Sequence, residues 1–306
     1  MSEAVLSIEG LVKRFGRTEA LDGIDLVLER PGVYGFLGPN GAGKTTTFKL
    51  VSGLLRPTAG RIRIDGVEVG TRTARAVSHL GILFDSPAYY DYLTGAGNLE
   101  VFARWSGIDA GPRISPLLEM VGLGGAGRKK VGEYSWGMKR RLGIAAALLG
   151  DPKLLLLDEP TNGLDPGGIA DIRRLLPHLA WKEGRTVLLS SHRMEEVSQI
   201  CDHVTIIDRG RIAASGTPKE LAGARSWIEV ECADAERAAA LLGSVPGIAA
   251  VERAGGERLR LRADGIGTGA VNRLLMENGI EVHHITERRE SLEDIFFRLT
   301  GMHDDE

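Results

Sequence analysis

The chain has 306 residues, 43% hydrophobic and 26% charged, so it holds enough apolar material for a sizeable core and is not a mainly disordered chain. Lys and Arg number 38 against 41 Asp and Glu, a net charge of −3 that argues against a basic nucleic-acid binder. Cys201 and Cys232 are the only cysteines, which excludes a disulfide framework and fits a reducing compartment, and the 41 glycines signal many turns and close backbone approaches.

Residues 1–10 lack the basic and apolar regions of a secretory signal, and no apolar run approaches the roughly 20 residues that span a bilayer. A cytoplasmic protein is expected, with any membrane-spanning part supplied by another chain. Residues 7–9 and 24–28 alternate apolar and polar, as half-buried strands do. Residues 33–37 form a short apolar run leading into Gly38-Pro39-Asn40-Gly41-Ala42-Gly43-Lys44-Thr45, the pattern G-x-x-x-x-G-K-[ST], with a helical pattern over 45–52 behind it. Strand, glycine loop and helix together make the context of a phosphate-binding loop. Gly41 and Gly43 let successive N–H groups turn inward, and the helix aims its positive end at the same anion. Lys44 supplies a mobile point charge for β- and γ-phosphates, and Thr45 offers a hydroxyl to Mg²⁺.

Residues 61–65 alternate again, and 80–84 form a continuous apolar run. From about residue 86 to 150 the rhythm changes to mostly helical segments, the last over 138–149, so a helical subdomain inserted into the core is expected. The run 154–157 ends in Asp158 and Glu159. Beside a phosphate loop, Asp158 is placed to hold Mg²⁺ through water and Glu159 to act as general base; alone, the pair reads equally as a solvated acidic turn. A helix over 169–181 follows, then the run 187–189 leading into Ser190, Ser191 and His192. One helix after the carboxylate strand, His192 reaches the same sheet edge, and contact with the γ-phosphate is expected ahead of a structural role. A helix at 194–200 and a strand at 204–207 complete an α/β pattern of buried parallel strands covered by helices. A boundary near 223–225 divides the chain into domains 1–224 and 225–306. Beyond it come a strand (227–232), helix (235–242), two strands (248–252 and 258–262), helix (269–278) and strand (280–285), the order β-α-β-β-α-β of a small ferredoxin-like α+β domain. An amphipathic helix at 291–299 and an acidic tail at 303–306 end the chain.

This ordered set resembles the ATP-binding subunits of ATP-binding cassette (ABC) transporters over about residues 4–223. Tyr134-Ser135-Trp136-Gly137-Met138-Lys139 resembles the signature that follows the family's helical subdomain, and Asn162-Gly163-Leu164-Asp165 resembles the loop after its general base. The resemblance implies an ATP hydrolase using ATP and Mg²⁺, in which two subunits, expected to be a homodimer, clasp head to tail around two nucleotides. Ser135 and the Gly137 N–H would complete the γ-phosphate shell of the other subunit's nucleotide, and Phe15 would stack on adenine. Pro39, Asn40, Ala42, Thr46 and Asp165 complete the expected nucleotide-contacting set. Trp136 stands where the family usually has a small or aliphatic residue, and either faces the dimer interface or packs in the helical subdomain. Asp85 stands where the family commonly has Gln. Shorter than Gln and unable to donate when ionised, it is expected in a water-bridged position, with its larger part in coupling the sheet to the helical subdomain.

The C-terminal domain and its ending, residues 291–300, resemble the ATPase subunits of two-component exporters of the drug-resistance type, whose permease is a separate integral-membrane chain. That implies a protein peripheral on the inner face of the cell membrane, with residues 89–99 facing the permease. A soluble ABC switch without transport and an import ATPase are the alternatives. A ribosome- or DNA-acting member would normally have two cassettes or a long coiled coil, and an import ATPase often has a C-terminal β-barrel. The chain reads as one cassette with a mixed α/β ending, and no nucleic-acid partner is expected.

Overall fold

The computed structural model describes residues 4–70, 73–85, 88–222, 226–263, 265–289 and 291–301. The expected boundary at 223–225 and the acidic tail lie outside the described residues. The chain divides into two compact units, one of Met1–Pro218 with Leu299–Met302 and one chiefly of Lys219–Arg298.

In the first unit, β1 (Leu6–Phe15) and β2 (Thr18–Leu28) form a hairpin, and β3 (Gly32–Leu37) leads into α1 (Lys44–Val51). A second hairpin, β4 (Ala59–Ile64) and β5 (Val67–Glu68), precedes α2 (Thr73–Val77) and β6 (Leu80–Leu83). Then come α3 (Gly95–Trp105), α4 (Gly111–Met120) and α5 (Trp136–Ala147) with no described strand among them. The order resumes as β7 (Leu154–Asp158), α6 (Pro166–Trp181), β8 (Thr186–Ser191), α7 (Met194–Ile200), β9 (His203–Asp208) and β10 (Arg211–Gly216), followed by α8 (Pro218–Ala222), which from Lys219 on belongs to the second unit.

Two sheets result. One is antiparallel, in the order β2-β1-β4-β5; the other runs β10-β9-β3-β8-β7-β6, parallel except for the edge strand β10. Leu6, Ile8 and Leu11 of β1 and Leu21, Ile24 and Leu26 of β2 pack with Phe36 and Phe48 in one core. The step from Ile8 to Leu11 would break strict alternation; a register shift there keeps Leu11 on the buried face. Every residue of β7 and β8 is buried, as expected of parallel strands covered on both sides. Because these strands run the same way, the ends of β3, β8, β7 and β6 lie side by side. Leu37 is in register with Ser191, Asp158 with Ser190, and Leu83 with Leu157.

Two of the three helices of the helical segment are capped by their own side chains. Thr94 Oγ1 accepts from the Gly97 N–H at 3.0 Å to start α3, and Ser135 Oγ accepts from the Met138 N–H at 3.2 Å to start α5. The Ser135 cap explains why α5 begins at Trp136, two residues before the pattern read from the sequence. Asn98, fully buried, accepts from the Tyr90 N–H at 2.9 Å and donates to the carbonyls of Tyr90 and Thr94 at 3.1 and 3.0 Å, fixing the turn before α3. The Tyr90 ring meets those of Tyr92 and Trp105 edge-on, at 5.7 and 5.9 Å.

The second unit contains β11 (Ser226–Cys232), α9 (Ala235–Leu242), β12 (Ile248–Arg253), β13 (Arg258–Ala263), α10 (Thr268–Glu277), β14 (Val282–Arg289) and most of α11 (Leu292–Thr300). Its sheet has the order β12-β13-β11-β14, antiparallel throughout, which is the ferredoxin-like arrangement. Ile228, Val230, Leu259 and Leu261 meet Ala238, Leu242, Val271 and Leu275 of the two helices. The other face is polar, with Glu229 held by Arg260 and Arg288 at 3.1 Å each. β14 runs on to Arg289, beyond the expected end at 285, because its added residues are mostly charged and read in sequence as a loop.

Candidate active site

The loop 38–43 joins β3 to α1, whose first two residues are Lys44 and Thr45. Gly43 adopts φ +112°, and a Cβ there would lie 2.5 Å from Leu21 Cδ2 and 2.9 Å from the Ala20 carbonyl, so β2 leaves room for glycine alone. Gly43 also occupies the cap position of α1 and offers no side chain to it, so the first-turn N–H donors are left for an anion. The turn is closed by the Ala42 N–H donating to the Pro39 carbonyl at 3.1 Å. Asn40 is exposed and Thr46 half-buried on the first helical turn. Lys44 is buried, and its Nζ donates to the carbonyls of Gly38 (2.5 Å) and Pro39 (3.2 Å). Burial pushes the Lys44 pKa down, opposed by the charges of Glu159 and Asp158.

The neighbouring strand ends supply the rest. Thr45 Oγ1 donates to Asp158 Oδ2 at 3.1 Å, and Ser190 Oγ donates to Asp158 Oδ1 at 2.6 Å. The same Ser190 Oγ accepts from the Glu159 N–H at 3.0 Å. Glu159 has φ +49°, a left-handed conformation rare outside glycine. Its carbonyl accepts from Arg140 Nη2 at 2.6 Å, and its Oε2 lies 2.9 Å from His192 Nδ1. Lys44, Thr45, Asp158, Glu159 and His192 are therefore brought to one sheet edge.

The other residues singled out in the sequence lie as follows. Phe15, at the end of β1, is 47% exposed, with Lys13 Nζ 4.9 Å from its ring centroid. Asp85 Oδ1 accepts from Arg140 Nη2 at 2.7 Å, so its carboxylate is engaged by a buried guanidinium. Asp165 caps α6, its Oδ1 accepting from the Gly168 N–H at 3.1 Å. Trp136 donates from Nε1 to the Asn162 carbonyl at 3.2 Å and covers Gly163, while half its surface stays exposed. It packs on the loop after Glu159, an arrangement neither sequence alternative named. Among the described residues, Phe15, Ser135, Gly137 and Asp165 take no part in the hydrogen-bond network around Asp158. Sequence reasoning missed Ser190 and Arg140. Ser190 carried a weak signal, a hydroxyl closing an apolar run, whereas Arg140 sits in the basic run 139–141, which reads as a solvated helix face.

A family model described as ABC transporter matches residues 21–162. Over 298 residues the chain is 38% identical to the bacitracin transport ATP-binding protein BcrA of Bacillus licheniformis, covering 97% of each protein. The chain belongs to the ABC transporter family. It is 40% identical over 314 residues to the daunorubicin resistance ATP-binding protein DrrA3 of Streptomyces coeruleorubidus, covering 98% of this chain and 97% of that one. Among solved structures, the CbiO1 component of a Clostridium perfringens ABC transporter complex superposes with a TM-score of 0.66 at 30% identity, over 72% of this chain and 92% of that one. The chain is thus the ATP-binding and ATP-hydrolysing subunit of an ABC transporter. Such ATPases work with separate membrane permeases, and no described helix here is long and apolar enough to cross a membrane.

The donor set fits Mg²⁺. A threonine hydroxyl and a carboxylate oxygen 3.1 Å apart are hard oxygen ligands, the kind Mg²⁺ takes one or two of while drawing the rest from water and phosphate. Among the described residues, no group of three or more His, Cys, Asp or Glu side chains could hold a metal without such help.

Proposed function

We propose that this chain powers export of an antibiotic-like compound through a separate integral-membrane permease, hydrolysing MgATP at two composite sites in a head-to-tail homodimer. One observation carries the hydrolytic reading: the continuous network Thr45–Asp158–Ser190–Glu159–His192 at adjacent strand ends. In this reading the N–H groups of residues 38–46 bind phosphate oxygens, and Lys44 exchanges its loop carbonyls for the β- and γ-phosphates. Thr45 and Asp158 hold Mg²⁺, which when bound offsets phosphate charge. Glu159 takes a proton from the water that attacks the γ-phosphorus, while the bond to the β–γ bridging oxygen breaks and ADP leaves. His192 keeps the Glu159 carboxylate oriented and donates to a γ-phosphate oxygen.

The remaining roles follow the same reading. Phe15 offers an open ring face for adenine. Ser135 Oγ, already accepting from the Met138 N–H, keeps its proton to donate to the nucleotide on the other subunit, together with the Gly137 N–H. Asp165 stiffens the loop that runs beside that interface. The ring cluster of Tyr90, Tyr92 and Trp105, with Tyr92 69% and Trp105 72% exposed, gives the permease an apolar docking face. Export is supported by whole-length similarity to the bacitracin-transport and daunorubicin-resistance proteins, a similarity that includes the C-terminal unit.

The test is Glu159→Gln in the full chain. Turnover is expected to fall by about 10²–10⁴-fold with MgATP binding retained, and ATP to shift the variant to a dimer in gel filtration. Turnover at the wild-type rate would remove Glu159 as base. Vesicles holding the chain with its copurified permease should take up bacitracin or daunorubicin only with ATP, and uptake without ATP would remove the exporter reading.

A further inference from the structure

Arg140 is 1% exposed although it lies in a run of three basic residues. Its guanidinium reaches two separate places. Nη1 donates to the carbonyls of Phe84 (3.3 Å) and Asp85 (2.5 Å), and Nη2 donates to Asp85 Oδ1 (2.7 Å) and to the Glu159 carbonyl (2.6 Å). Only Nε lacks a partner. A planar fork with fixed donor directions is suited to holding such acceptors in one geometry, which a lysine ammonium is not. The Glu159 peptide is thereby gripped at both ends, its N–H by Ser190 and its carbonyl by Arg140, in a left-handed conformation that an unrestrained glutamate would leave. Two further ties join the 89–91 segment to α5 one residue before Arg140: Tyr89 Oη donates to the Lys139 carbonyl at 2.7 Å, and Lys139 Nζ lies 3.0 Å from Asp91 Oδ1.

We propose that Arg140 is a positioning residue for hydrolysis, holding the Glu159 peptide in its left-handed conformation and tying it to Asp85, so that displacement of Asp85 is delivered to Glu159. This rests on the reading of Glu159 as the general base. Both terminal nitrogens of Arg140 are taken up by oxygens of Phe84, Asp85 and Glu159. It acts by aiming Glu159, so losing it should lower the chemical step and leave ATP affinity in place. On this proposal any effect of Asp85 on turnover passes through Arg140.

The experiment is steady-state ATPase of the full chain. In Arg140→Met, kcat should fall about tenfold to hundredfold, with KM for ATP within about threefold of wild type. Arg140→Lys, which keeps the charge but reaches fewer acceptors, should fall between the two. Asp85→Ala should lose less than Arg140→Met, because the main-chain carbonyls of Phe84 and Asp85 still hold the guanidinium. The double variant should equal Arg140→Met alone. Wild-type kcat in Arg140→Met, a KM rise that accounts for the whole loss, or losses that multiply in the double variant would each overturn the proposal. Should Arg140→Met not fold, Arg140→Lys decides: a lowered kcat at unchanged KM supports the link, and wild-type kcat overturns it. Wild-type turnover in Glu159→Gln is a different result, and it removes the base reading instead.

Discussion

Lys44 is a charge kept largely out of water. Its ammonium is held by two loop carbonyls, and burial is the larger influence on its pKa, which lies below the usual lysine value of 10.5. A lysine whose folded pKa is depressed is disfavoured in its charged form by folding. Its burden is present at neutral pH and is relieved only as pH rises through the folded pKa toward the unfolded one. Lys44→Met should therefore lose ATP binding in calorimetry while its Tm at pH 7 stays equal to or above that of wild type. Unchanged ATP affinity would remove Lys44 from the phosphate site, and a large drop in Tm would mean that its two carbonyl bonds outweigh its desolvation. The same logic explains why Ser190 sits fully buried between Asp158 and Glu159: one hydroxyl satisfies a carboxylate and an N–H that would otherwise be orphaned in the interior.

At the scale of elements, the start of α5 and the loop leading to α6 behave as one piece. Trp136 and Asp165 each pin that loop, one from outside and one as a helix cap, and Gly163 lies beneath the indole with φ +73°. A Cβ at Gly163 would stand 2.5 Å from Trp136 Nε1. Gly163→Ala should cost about 1–3 kcal/mol in chemical denaturation, combining the left-handed backbone penalty with the clash. Adding Trp136→Ala should recover the clash but not the backbone part, so the double variant falls between wild type and Gly163→Ala. Full recovery would mean that the backbone conformation is not strained.

For the whole molecule, the two units each have a core of their own, one around Phe36 and Phe48 and one around Ile228 and Leu259. A chain ending at residue 222 should remain soluble, melt cooperatively and bind MgATP within about threefold of the full chain. Residues 299–302 group with the first unit, so a lowered Tm is expected alongside retained binding. An insoluble fragment, set against a monodisperse full chain, would show that the cassette depends on the C-terminal residues to fold.

Local chemistry is what made much of this protein legible in advance. The phosphate loop, the carboxylates at the end of β7 and the histidine after β8 are strand-end features, and continuous apolar runs mark the buried parallel strands that carry them. The six-element order of the C-terminal unit was likewise written in period-2 and period-3.6 patterns within short windows. Long-range pairing was not legible. Arg140 meets Asp85 across 55 residues and Glu159 across 19, Ser190 meets Glu159 across 31, and Trp136 meets Asn162 across 26. A basic run looks the same in sequence whether solvated or buried, because burial depends on which distant backbone carbonyls and carboxylates the fold brings against it. The tertiary structure alone decided that Arg140 is interior, that Asp85 spends its charge on it, and that Glu159 is held in a backbone conformation its own residue type does not favour.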